Sequence, residues 1–137
     1  MVIKVLVAAV LGFLIGVERK GGKKGAGTRT FSLICMGSAL FTVLSVVAFE
    51  GPDNSRIAAQ IVTGIGFIGG GVIWRSSNDI VHGITTAAAI WVSAAIGISV
   101  GVGYFLLALV TTLTVIVILA KGHPIKCATQ NLLTGDE

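Results

Sequence analysis

The tract ITTAAAIWVSAAIGISVGVGYFLLALVTTLTVIVILA, Ile84 to Ala120, runs 37 residues without one charged side chain. A single helix of that length would extend about 55 Å at 1.5 Å per residue, nearly twice the ~30 Å hydrocarbon core of a bilayer. The tract therefore has to break, and Gly101-Val102-Gly103 is the natural place. The break yields two apolar stretches, Ile84–Val100 and Val102–Ala120.

Three more apolar stretches precede them: Val2–Val17, Phe31–Phe49 and Ile57–Trp74. Those at Phe31, Ile57 and Val102 approach the ~20 residues of a membrane crossing. The first is shorter and carries Lys4, whose stem can snorkel to an interface. It does not read as a cleaved leader, because its heavier charge (Arg19, Lys20) follows the apolar run and no A-x-A site is present. The expected fold is all-α, a polytopic membrane bundle of five transmembrane helices over residues 1–120, with a short polar cytoplasmic tail over 121–137.

Composition supports that solvent. The 137 residues are 54% hydrophobic and 12% charged, about half the ~25% charge of soluble domains. Such a chain lacks the polar surface to coat a globule in water. The formal charge of +4 is concentrated: Arg19, Lys20, Lys23, Lys24 and Arg29 share one segment between two apolar runs. That is the signature of a cytoplasmic loop, not of a nucleic-acid surface. With five spans, eight basic residues fall on that face and two, Lys4 and Arg56, on the other; with four spans the division is six to four. The positive-inside rule selects five, with the amino terminus outside and the carboxyl terminus in the cytoplasm.

Gly64-Ile65-Gly66-Phe67-Ile68-Gly69 matches the dinucleotide pattern G-x-G-x-x-G but lies inside an apolar span, and Asp79 comes too early for the ribose-binding acid. Glycines in such spans let helices approach closely. On that basis Gly12, Gly16, Gly64, Gly66, Gly69, Gly70, Gly71, Gly97 and Gly101 are expected to pack helices together. Gln60, Thr63, Thr85, Thr86 and Ser93 lie at membrane depth, where polar groups usually face the bundle and bond a neighbouring helix; lining an ion path is the other reading. Glu18, Arg19, Arg29, Arg56, Arg75 and Asp79 stand at span ends. All but Arg56 share the cytoplasmic face, where ion pairing would fix the loops. Cys35 and Cys127 are expected to be free thiols, and His82 and His123 lack ligand spacing. No catalytic constellation appears, so neither an enzyme nor a cofactor is expected.

In order and spacing, three blocks resemble the membrane domain of the MgtC/SapB family of bacterial proteins. They are Gly16-Val17-Glu18-Arg19 with Ala26-Gly27-Thr28-Arg29-Thr30; Arg56-Ile57-Ala58-Ala59-Gln60 running into Gly64–Gly71; and Val81-His82-Gly83-Ile84-Thr85-Thr86-Ala87-Ala88 with Trp91 and Ala94-Ala95-x-Gly97. The resemblance covers about Val2 to Ala120. It implies a five-helix inner-membrane protein with an outward amino terminus, linked to growth at low magnesium and, in pathogens, to survival inside macrophages. It implies action through membrane partners, the F-type ATP synthase among them, with transport of Mg²⁺ as the alternative. Virulence members commonly carry Asn where Thr85 stands and Cys where Val92 stands. Many continue into a cytoplasmic ACT-like domain, whereas the sequence here runs to Glu137 after a short polar tail. The expected partners are thus the lipid bilayer, a membrane protein and a second copy of the chain. Mg²⁺ sites use oxygen ligands, usually carboxylates, and none of the six acids falls within an expected span; an oligomeric pore lined by backbone carbonyls, Thr85 and Thr86 is the form a transporter would take.

Overall fold

Five helices occupy the five apolar stretches: α1 (Val2–Glu18), α2 (Thr28–Ala48), α3 (Arg56–Gly71), α4 (Ile84–Val102) and α5 (Phe105–Lys121). The computed structural model describes residues 1–21, 25–48, 56–77 and 79–121; the tail from residue 122, with Cys127 and His123, lies outside them. Two helices, α2 over Thr28–Val47 and α4 over Ile84–Val102, are long and apolar enough to cross a membrane, and α5 is apolar but shorter.

The long tract does break, at Gly103. Its φ of 113° is left-handed, and its N–H and that of Tyr104 both reach the Ser99 carbonyl, at 3.1 and 2.8 Å. Only glycine adopts that conformation without a Cβ penalty, and the two bonds satisfy the end of α4 before α5 starts. Gly101 takes no part in the turn; it is buried within α4.

One element was not foreseen. The third apolar stretch was expected to stay helical through Trp74, but α3 stops at Gly71 and a short antiparallel ribbon follows, β1 (Trp74–Arg75) with β2 (Val81–His82). Trp74 pairs with His82 and their rings stack at 4.5 Å. The glycine triplet Gly69-Gly70-Gly71 is a poor helix end to propagate through, and two-residue strands have too little periodicity to be read from sequence. The ribbon is tied at its neck by Gly83. Its φ is 90°, and a Cβ there would collide with the Val72 carbonyl and come within 3.1 Å of Ile73 Cα. So the fold is mostly helical, with a small ribbon between α3 and α4.

The interior mixes small and polar residues, Ala8, Ala39, Ala89, Ala94 and Ala108 with Ser38, Thr42, Ser93 and Thr112, with large apolar ones such as Ile15, Phe31, Ile90 and Ile96. Many other large apolar side chains point outward, with Phe67 88% exposed and Leu106 74%. In hydrocarbon, apolar surface costs nothing outside, and helix association rests on close packing and internal hydrogen bonds. The buried hydroxyls satisfy themselves locally: Thr42, Ser93 and Thr112 each donate to a carbonyl one turn back, at 2.7–2.8 Å.

Helix α2 lies between α1 and α4, and both close on it through glycines. A Cβ on Gly12 would overlap the Phe31 carbonyl, and one on Gly16 would overlap Thr28 Cα. From the other side, a Cβ on Gly97 would overlap the Cys35 carbonyl, and one on Gly101 would stand 2.6 Å from Thr42 Cβ. The Cys35 thiol donates to the Ser93 carbonyl at 3.1 Å across the α2–α4 seam. Helix α3 packs on α4 through buried Ile65 and Gly69, and it touches α2 only sparsely.

Candidate functional site

Both ends of the bundle carry cations, held in different ways. At the end where α1 starts and α4 stops, Lys4 Nζ donates to the Gly101 carbonyl at 2.9 Å. An ammonium on the last-turn carbonyls of a helix meets the negative end of its dipole. Lys4 therefore bonds across the bundle instead of only snorkelling outward. Arg56, at the start of α3, is exposed.

The opposite end gathers the ends of α1 and α3, the starts of α2 and α4, and the ribbon. A 3-10 turn over Arg19–Gly21 continues α1 and turns the Arg19 side chain inward. Arg19 is only 7% exposed, and its Nη2 donates to Thr86 Oγ1 at 2.9 Å in the first turn of α4. Its Nε meets no hydrogen-bond acceptor among the described residues. This guanidinium is a fixed positive charge sealing the α1–α4 seam. Glu18, the last residue of α1, is half-buried beside it. Arg75 and Asp79 pair on the ribbon at 3.1 Å with both side chains mostly exposed, a contact that shapes the turn but adds little stability. Asp79 itself has a φ of 62°, a left-handed conformation that Asp tolerates better than most residues.

Of the polar residues expected to face the bundle, Thr86 and Ser93 do so. Gln60, Thr63 and Thr85 are exposed instead. Thr63 bonds the Ala59 carbonyl of its own helix at 3.2 Å. These two α3 residues turn outward because, among the described residues, α3 packs mainly on α4. The same cause corrects the glycine reading. Gly12, Gly16, Gly97 and Gly101 pack helices, and Gly69 makes ordinary contact with Ala87 at 3.6 Å. Gly64, Gly66, Gly70 and Gly71 have no atom of the described residues within 4 Å of a would-be Cβ, so they join no two of the described helices.

Gly66 and Gly70 line a hollow between α3 and α4, whereas Gly64 borders a separate groove of about 760 Å³ that separates α2 from α3. Arg29 stands at one end, Phe41 and Ile57 toward the other, Gly37 and Gly64 at mid-length, and Gln60 on the α3 wall. This groove was not legible beforehand as a site. Its trace in the sequence is a shared register: Thr30, Leu33, Ile34, Gly37, Ser38 and Phe41 on α2 repeat the spacing of Ile57, Gln60, Ile61, Gly64, Ile65 and Ile68 on α3. Among the described residues no group of three or more His, Cys, Asp or Glu side chains comes together as a metal site.

The sequence profile of the MgtC family matches residues 5–127. YhiD of Escherichia coli K12, named as a candidate magnesium transporter, is 44% identical over 138 residues, covering 95% of this chain and 64% of its own length. Protein MgtC of Salmonella typhimurium is 45% identical over 116 residues, covering 84% of this chain and 49% of itself. The chain thus spans about half to two-thirds of the length of these relatives. No solved structure matches. A profile match over nearly the whole helical region, together with identities above 40%, fixes the kinship: the chain belongs to the MgtC family.

Proposed function

We propose that this chain is a multi-pass protein of the bacterial inner membrane that serves magnesium homeostasis as a regulator, acting through a membrane partner and not by carrying Mg²⁺ itself. In this reading all five helices cross the bilayer, with the amino terminus outside and Arg19, Arg29 and Arg75 at the cytoplasmic face. The many exposed large apolar side chains support the membrane placement, as does the eight-to-two division of basic residues. The link to magnesium comes from the family and from the name of the Escherichia coli relative.

The observation that carries the regulatory reading is Arg19. A Mg²⁺ path through the α1–α4 seam would have to pass a buried guanidinium held on Thr86. Like charges at 4 Å repel by about 8 kcal/mol for a divalent ion even at an effective dielectric of 20. The glycine contacts on either side of α2 close α1 and α4 tightly onto it. The exposed basic end, with Arg29 and the Arg75 ribbon, is by contrast a surface for another molecule. The family resemblance makes the F-type ATP synthase the first partner to test.

The transporter reading keeps one point in its favour, the name of the Escherichia coli relative. Liposomes with an internal Mg²⁺ dye separate the two. The regulatory reading expects no saturable flux, together with co-purification of a membrane protein. Robust flux that disappears in Gln60→Ala or Thr86→Val would establish transport and sink it.

A further inference from the structure

We propose that the groove between α2 and α3 is a binding site for an anionic phospholipid of the cytoplasmic leaflet, its phosphate on Arg29 and one acyl chain laid along the helices toward Phe41. The inference rests on the membrane placement of the bundle described above.

Three features of the groove agree on this occupant. The first is length. Arg29 and Phe41 are twelve residues apart on α2, about 18 Å at 1.5 Å per residue, close to the ~15 Å of one leaflet's hydrocarbon. From Arg29 the groove thus offers one leaflet's depth for an acyl chain to lie along, and on α3 it continues to Ile57, beside Arg56 at the opposite end.

The second feature is the distribution of polarity. Leu33, Ile34 and Ile68 make the walls apolar below the mouth, and the charged lining residue is Arg29 at the mouth itself. Arg29 is exposed in the first turn of α2. It can therefore present its guanidinium fork to a phosphate in the bidentate way that Lys cannot. Gln60 lies one turn inside α3 at the groove's far end, four residues from Gly64 as Phe41 is from Gly37.

The third is depth. Gly37 and Gly64 face each other's helices at mid-groove with no atom within 4 Å of a would-be Cβ. Side chains there would fill the volume, and their absence keeps a trough of about 760 Å³ open along the protein's lipid-facing side. A cationic mouth above an apolar trough matches an anionic headgroup on a hydrocarbon tail. The basic segment from Arg19 to Arg29 adds attraction to the same leaflet.

The test uses the full chain reconstituted in phosphatidylcholine vesicles carrying a trace of acyl-chain spin-labelled phosphatidylglycerol or phosphatidylcholine. The motionally restricted fraction of label is measured by electron spin resonance. The expected result is a restricted component favouring phosphatidylglycerol by about five-fold, the factor a single interfacial Arg provides. Arg29→Gln should erase the preference, and Gly64→Leu should abolish the extra component for both lipids. Because Gly64 borders open space, Gly64→Leu should keep the wild-type helical circular dichroism. Equal restriction of both lipids by the wild type overturns the inference, as does a preference that persists in either variant. Cross-linking of Gly64→Cys to a second copy or to another membrane protein would assign the groove to a helix and overturn it as well. Failure of the chain to insert into vesicles at all would instead strike the membrane placement, so the two failures are distinguishable.

Discussion

Arg19 shows how much one buried charge depends on one acceptor. Its Nη2 reaches Thr86 Oγ1 at 2.9 Å, and both residues are more than nine-tenths buried. Thr86→Val keeps the shape of the side chain and removes the acceptor, leaving a charged donor in a dry site. A lost hydrogen bond of a charged group costs about 2 kcal/mol, so thermal unfolding in detergent should show Thr86→Val clearly less stable than wild type, with Thr86→Ser near it. Asp79→Asn offers the contrast. Its partner Arg75 is also mostly exposed, and removing the pair should change stability by less than about 1 kcal/mol. Equal losses for Thr86→Val and Asp79→Asn would show that burial does not set the worth of these two contacts. Sequence placed Arg19 and Thr86 among the residues of interest but could not join them. They are 67 positions apart, and the link depends on the turn after α1, which no local pattern announces.

At the scale of the helix, glycine has two fates here, and they predict opposite outcomes. Gly97 and Gly12 sit where a Cβ would overlap a backbone carbonyl of α2. Backbone cannot step aside as a flexible side chain can, so Gly97→Ala or Gly12→Ala must push α4 or α1 off α2. Overpacking of that kind costs about 1–3 kcal/mol. Gly66 and Gly70, with open space around them, should accept Ala with no loss, and the smaller backbone entropy of Ala should favour the helix by about 0.5–1 kcal/mol. Unfolding the four variants in the same detergent checks the division; a destabilising Gly70→Ala would mean that α3 is packed against something, within or beyond this chain. The same glycines mark the limit of reading by motif. Gly12-x-x-x-Gly16, Gly97-x-x-x-Gly101 and Gly66-x-x-x-Gly70 look alike in sequence, yet only the first two meet a neighbour. The five helices were legible because long apolar stretches and the Gly103 break are local signals. Which face of α3 is covered was not, because that is decided by α4 and by the absence of close contact with α2. The ribbon over Trp74–His82 escaped for a simpler reason: two strands of two residues carry no period.

For the whole molecule, the question is which end faces which compartment, and the two ends differ in chemistry enough to ask it directly. One end offers Lys4, bonded into the bundle on the Gly101 carbonyl, and exposed Arg56. The other offers buried Arg19, exposed Arg29 and the exposed Arg75–Asp79 ribbon. Positive loops resist translocation, and the end with Arg29 and the ribbon receives eight of the ten basic residues in the five-span arrangement. That arrangement is also the one in which the inner-leaflet lipid site can exist, because Arg29 must meet the cytoplasmic headgroups. Single cysteines placed at the two ends test it without disturbing the core. In a Cys127→Ser background, with Cys35 buried, Arg56→Cys and Ser77→Cys each put one exposed thiol at an opposite end of the bundle. A membrane-impermeant maleimide added to intact spheroplasts should label Arg56→Cys and spare Ser77→Cys until the cells are lysed. The reverse pattern would invert the protein and move Arg29 to the outer leaflet. Labelling of both before lysis would place the two ends on one side, which antiparallel helices α3 and α4 that each cross the bilayer cannot do. Either result removes the basis for the cytoplasmic surface through which a regulator of this kind would work.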